Sequence, residues 1–169
     1  MPPLIHTHFH FLMQVDPSKK LEVFGNITYD EIGQRIARVD VVDVQETKSA
    51  YKELLFYNKG IAYRENLQTK ACVKTPIKGP FRPIGVPPTA QFRGYVYIGS
   101  SQNDHSGIKV QQWYNQSDTA VLLATFTTVA CVPVQDSYFS KDTGFVHTTF
   151  FDVRQKFDPS VFDIPASCP

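Results

Sequence analysis

Gln34-Arg35-Ile36-Ala37-Arg38-Val39-Asp40-Val41-Val42-Asp43-Val44 is the stretch on which the fold turns. Ile36, Arg38, Asp40 and Val42 share one side, and Arg35, Ala37, Val39 and Val41 the other. A period of two carried by β-branched residues marks a strand rather than a helix. The same reading extends outward from there. Residues 6–14 and 21–29 are candidate strands on the N-terminal side, with turns at 16–20 and 30–33. Residues 53–57 form a short apolar strand, and Asn58-Lys59-Gly60 is a tight-turn signal that returns the chain through 61–66. Residues 91–99, 108–114, 120–134 and 144–154 read as further strands. The segment 75–88 is crowded with proline, which lacks the donor a central strand needs, and reads as an extended surface segment. Helical periodicity is scarce, and no repeat of ~20–50 residues is visible. Eight or nine closely spaced strands without long helices mean antiparallel β, as a sandwich or a barrel.

Composition bounds the rest. The chain has 169 residues, read as one domain over 1–169 with its first eight residues a loose end. With 42% hydrophobic and 20% charged residues it can bury a core. The formal net charge is +1, so the sustained basic excess that nucleic acid calls for is absent. No apolar run approaches the ~20 residues of a spanning helix. The N-terminus has no signal-peptide pattern as written.

The search for chemistry starts with catalytic motifs. G-x-S-x-G, the P-loop, H-E-x-x-H and the Rossmann glycine pattern are all missing from the sequence, so the expectation is a protein without enzymatic activity. His6, His8 and His10 would point to one face of a strand, as metal ligands on a sheet do, or stand on an exposed terminal strand. Asp40, Asp43 and Glu46 form a loose acidic group, either a solvated edge or a calcium candidate without an EF-hand loop. Asn26-Ile27-Thr28 and Asn115-Gln116-Ser117 are N-glycosylation acceptors. Cys72, Cys131 and Cys168 are an odd set with no CxxC pair. The aromatics Tyr95, Tyr97, Trp113, Phe126, Phe150 and Phe151 fall on several strands. They either fill an ordinary core or line the concave face of a curled sheet, as in lipid-binding barrels.

Several motifs then fall into a known order. Tyr29-Asp30 and Gln34-Arg35-Ile36-Ala37-Arg38-Val39 open it, followed by Thr69-Lys70-Ala71-Cys72 and Phe81-Arg82-Pro83-Ile84-Gly85-Val86-Pro87. Tyr97-Ile98-Gly99-Ser100, Val110-Gln111-Gln112-Trp113, Cys131-Val132-Pro133-Val134-Gln135 and Phe150-Phe151-Asp152-Val153 come next. Asp158-Pro159-Ser160-Val161-Phe162-Asp163-Ile164-Pro165 and Cys168 close it. The chain resembles the ependymin family over residues 9–168. The resemblance implies two stacked antiparallel sheets curved into a half-barrel with a hydrophobic pocket, like bacterial lipoprotein carriers. It implies a secreted or lysosomal glycoprotein that forms homodimers and needs no cofactor. Binding of a lipid, ganglioside or fatty acid is implied, as are calcium binding and cell–matrix adhesion. Adhesion through surface and glycans is the competing reading to ligand binding.

Carried over residue by residue, the resemblance pairs Cys72 with Cys168. It leaves Cys131 unpaired, because its partner belongs to an N-terminal segment this sequence lacks. A chain shortened at its N-terminus is the expected account of the odd cysteine. Among the aromatics, Tyr95, Tyr97, Trp113, Phe126 and Phe150 become the pocket candidates. Adjacent Phe150 and Phe151 cannot both point inward.

Overall fold

The computed structural model describes residues 6–15, 21–45, 47–102, 106–142, 144–155 and 158–169, with the His6 side chain outside that set. Alternation along the chain becomes a single antiparallel ladder. The strands are β1 (His6–Val15), β2 (Leu21–Asp30), β3 (Arg35–Val44), β4 (Thr47–Phe56), β5 (Ile61–Asn66) and β6 (Cys72–Pro76). They continue with β7 (Gln91–Gly99), β8 (Gly107–Gln116), β9 (Ala120–Thr127), β10 (Pro133–Ser140) and β11 (Gly144–Arg154). Short 3-10 turns cover Tyr57–Lys59 and Pro159–Phe162.

The all-β antiparallel architecture is as expected, in the form of one large curved, unclosed sheet. The strand order is β6-β5-β4-β3-β2-β1-β11-β10-β9-β8-β7. Each half is a meander of consecutive hairpins. The two halves, expected as two stacked sheets curved into a half-barrel, are hydrogen-bonded to each other by the β1–β11 seam, from His10↔Phe151 to Val15↔Val146. A bulge lies between His8 and His10 at the end of that seam.

Two details depart from the expected strands. The apolar run 120–134 is broken: Ala130 and Cys131 take φ of 60° and 51°, and the chain reverses between β9 and β10. The short strand expected at 53–57 is the end of the ten-residue β4. The turn after it is as read: Gly60, at φ 66°, closes the 3-10 turn in the left-handed region, where a Cβ is costly.

Each sheet face carries its own cover. On one, Phe9, Phe11 and Val23 are buried with Val42, Phe150 and Ile84 packed against them. Ile84 belongs to the proline-rich link between β6 and β7, which crosses this face as a strap. On the other, Ala37, Leu54, Phe56 and Tyr63 pack with Phe162 of the C-terminal tail. The tail is tied down by the disulfide between Cys72 and Cys168. Ser167 donates to Glu65 at 2.8 Å, and the Lys52 ammonium donates to the Asp163 carbonyl at 3.2 Å.

Alternation also puts charge on the strap face, at Arg38 and Asp40. These groups are paired: Arg38 Nε lies 2.6 Å from Asp40 and 2.9 Å from Glu53 on β4. Burial pushes the Asp40 carboxyl above its ordinary range, opposed by the Arg38 guanidinium. A buried carboxylate is tolerable only with such a partner.

Candidate functional site

The strap does not lie flat. Its N-terminal part is clamped by aromatic rings: Phe81 stacks on Tyr29 with centroids 5.4 Å apart and meets Tyr57 edge-on at 5.3 Å. The backbone N–H of Ile84 donates to the Tyr29 hydroxyl at 3.2 Å. Burial, together with the neighbouring Glu31 and Asp30 carboxylates, pushes Tyr29 up to about 12, so its hydroxyl stays neutral at working pH. Proline at 80, 83, 87 and 88 keeps the segment extended without strand donors to satisfy.

Beyond the clamp, a cleft of about 840 Å³ opens between strap residues 81–88 and strands β9–β11. Its floor is set by register. Leu122, Ala124 and Phe126 alternate inward from β9, opposite Tyr138 and Asp136 of β10, and Phe150 comes from β11. Asn115, Ser117 and Thr119 stand on its margin. The volume lies in the ~300–1,000 Å³ range of small-molecule sites, and the lining is mainly apolar with few polar groups. Among the described lining residues, Arg82 and Asp136 alone carry charge.

Asp136 is the chemically distinctive wall residue. Burial pushes its carboxyl up, while a hydrogen bond from Thr148 and the charge of His147 pull it back. A carboxyl raised on folding binds its proton more tightly in the folded state, so stability falls as pH rises through its window above the unfolded value. A ligand that dries the cleft favours the neutral form further. An uncharged apolar probe is therefore expected to bind a few-fold tighter as pH falls through that window. Asp136→Asn should flatten the profile. A fluorescence titration at several pH values checks it, and an unchanged slope in the variant would remove Asp136 from the account.

The five aromatic candidates occupy one sheet face by register, but they do not all meet. Phe126 and Phe150 line the cleft. Trp113 sits beside Ala124 across the β8–β9 ladder, and its indole N–H donates to Gln111 at 3.3 Å. Tyr95 and Tyr97 lie further out on edge strand β7, 58% and 49% exposed. The strap covers β9–β11 and not β7, so these two tyrosines stay outside the cleft. Phe151 faces away from it, next to His10. Leu122, Asp136, Tyr138 and the strap's Phe81 and Ile84 were not among the sequence candidates. Phe81, Ile84 and Val86 recurring between prolines was the readable signal for the strap. The β10 residues gave none.

The other sequence candidates separate. Asp40 faces the strap and Asp43 the opposite side, and Glu46 lies outside the described residues. His8 hydrogen-bonds Thr28 at 2.9 Å and His10 lies 3.3 Å from Asp152; the His6 side chain is not among those described. Burial, then the charges of His10 and Arg154, push His8 down. Among the described residues no group of three metal-ligating side chains converges. Asn26 is mid-strand, with Thr28 of its tripeptide 2% exposed. Asn115 accepts a hydrogen bond from Thr89 at 3.1 Å on the margin of the cleft. Cys131 is a free thiol, 3.8 Å from Gln111 Nε2.

Comparison with known proteins bears on the whole arrangement. The ependymin family model matches residues 45–168. Mammalian ependymin-related protein 1 of Rattus norvegicus is 29% identical over 150 residues, covering 84% of this chain and 64% of that protein. The chain thus spans just under two thirds of the length of that relative. Among solved structures, an uncharacterized conserved protein from Thermus thermophilus superposes with a TM-score of 0.61 at 7% identity. That alignment covers 95% of this chain and 86% of the other, a likeness of fold. A putative outer membrane lipoprotein-sorting protein domain from Vibrio parahaemolyticus aligns with a TM-score of 0.38 at 5% identity, covering 95% of this chain and 90% of that one.

Proposed function

The chain belongs to the ependymin family, and from that premise we propose that it binds one apolar or amphipathic molecule, a lipid, in the strapped cleft. The observation that carries this reading is the cleft itself: about 840 Å³, floored by Leu122, Ala124, Phe126 and Phe150. Affinity comes from area. Each acyl methylene buried is worth ~0.8 kcal/mol, less the cost of ordering chain and strap. The polar residues Asn115, Ser117 and Thr119 would leave that margin of the cleft open to water. The function is carriage or presentation without a chemical step, in an extracellular or lysosomal setting. An Asn115 glycan would stand beside the opening.

The proposal includes the homodimer. On the face away from the strap, Phe139, Phe145 and Phe151 are 50%, 43% and 44% exposed, an apolar surface that a second copy would cover.

Strand alternation supplies a matched test. Leu122 faces the cleft, and Leu123 is 38% exposed on the opposite side. Leu122→Glu puts a second carboxylate beside Asp136 and is expected to weaken binding of a fluorescent fatty acid by about 30-fold, ~2 kcal/mol. Leu123→Glu should bind as the wild type does. Equal binding by both variants would move the ligand out of this cleft.

A further inference from the structure

Phe81 has a second side. Together with Pro83 it lines the cleft and also a separate pocket of about 480 Å³, walled by Glu31, Gln34, Tyr57 and Pro80. The strap is thus a partition, with apolar space on one flank and an aromatic, acidic hollow on the other. We propose that this second pocket is a subsite for a quaternary ammonium group of the choline type.

Three features argue for it. The first is the carboxylate: half-buried Glu31 lines the pocket, shares a side-chain hydrogen bond with the neutral Tyr29 hydroxyl, and leaves its Oε2 without a partner among the described residues. Its neighbour Asp30 is held by Arg35 at 2.7 Å and by the Gly33 N–H at 2.9 Å, whereas Glu31 has no such cation among the described residues. A carboxylate whose partner is a neutral hydroxyl still lacks a counter-charge, which a cationic ligand would supply. The second is the ring geometry. Phe81 and Tyr57 stand at 73° with centroids 5.3 Å apart, two walls of a corner. Tyr29 backs Phe81 in a parallel stack and fixes its plane. Aromatic walls attract a cation electrostatically, and methylated ammonium groups suit them because they carry charge without demanding hydrogen bonds. The third is the lining, where Pro80 and Pro83 add apolar surface without an N–H.

The strap's own charges fit the same chemistry. Arg82, exposed and on the cleft side between Phe81 and Pro83, is placed for the phosphate that a phosphocholine headgroup carries. The ammonium would then lie across the partition and the chains in the cleft. The lipid form of the proposal rests on the cleft reading above; the ammonium pocket itself does not.

The test is calorimetric titration of the full chain with choline and phosphocholine, beside Glu31→Gln and Gln34→Lys variants. Gln34 is exposed, so lysine there adds a competing cation at the pocket without touching the core. Both variants should lose choline affinity by about tenfold, as for a cation deprived of its counter-charge or opposed by a like one. Both should keep wild-type uptake of the fluorescent fatty acid, which reports that fold and cleft are intact. Failure of choline and phosphocholine to saturate the wild type, or undiminished choline binding by both variants, would overturn the proposal. Lysophosphatidylcholine and lysophosphatidylglycerol of equal chain length separate the sources. A choline preference that disappears in Glu31→Gln supports a lipid headgroup; choline binding without that preference supports a small solute. Choline binding in a wild type that takes up no fatty acid would sink the cleft reading and leave this pocket standing.

Discussion

Replacing Cys72 and Cys168 together by serine is expected to remove about 4–5 kcal/mol of stability, the chain-entropy value for a closed loop of this size. The bond spans 96 residues of sequence and holds the tail against β3–β6. What remains without it is Phe162 packed on Ala37, Leu54, Phe56 and Tyr63, the Arg35 guanidinium 4.1 Å from its ring centroid, and the Ser167 and Lys52 hydrogen bonds. For a chain of this length the loss corresponds to a Tm lower by roughly 10–20 °C. Thermal unfolding followed by circular dichroism, with and without reductant on the wild type, measures it. The cleft is on the other face, so fatty acid uptake well below the new Tm should persist. A Tm unchanged by reduction would mean that the tail is held by its packing alone.

Phe9→Ala should cost about 3–5 kcal/mol, the usual range for a phenylalanine removed from a closed core. Phe9 is 0% exposed and meets Phe150 edge-on at 5.2 Å. It therefore braces two things at once, the β1–β11 seam and the inner wall of the cleft. The variant is expected to shift the urea midpoint strongly and to weaken fatty acid binding several-fold even where it is folded. Phe24→Ala on the opposite face, at a side chain 54% exposed, is the comparison and should change little. A loss below ~1 kcal/mol for Phe9→Ala would show that the core refills around the gap.

Much of this was legible locally. The alternation of 34–44 reads directly as β3, and its odd charges, Arg38 and Asp40 on a buried face, are explained once β4 supplies Glu53. Asn58-Lys59-Gly60 reads as the turn it is. The break at Ala130-Cys131 is not legible, because neither residue is a usual occupant of the left-handed region; the turn is closed by Thr127, whose N–H donates to the Val132 carbonyl and whose hydroxyl accepts from the Val132 N–H. The β1–β11 seam joins the two ends of the chain, and no local pattern encodes a partner that far away.

The site divides in the same way. Period two puts Tyr95 and Tyr97 on one face of their strand, which the sequence can express, whereas the register of the ladder decides that Trp113, Phe126 and Phe150 share it. Which of them a ligand would meet depends on where the strap crosses, and that is decided by Ile84 reaching Tyr29 across 55 residues. The strap's prolines announce an extended segment but not its destination. Asp136 had no signal at all, since a polar residue in Gln135-Asp136-Ser137 looks like any solvated turn until β9 and β11 enclose it.

Organic extraction of the purified protein, followed by mass spectrometry of what comes off, tests the central claim most directly. The account predicts about one lipid per chain, released on extraction and taken up again by the stripped protein, as a single cleft of this size requires. An empty extract from a folded chain that then binds no fatty acid or lysolipid would contradict it and leave the outer surface as the working part of the molecule.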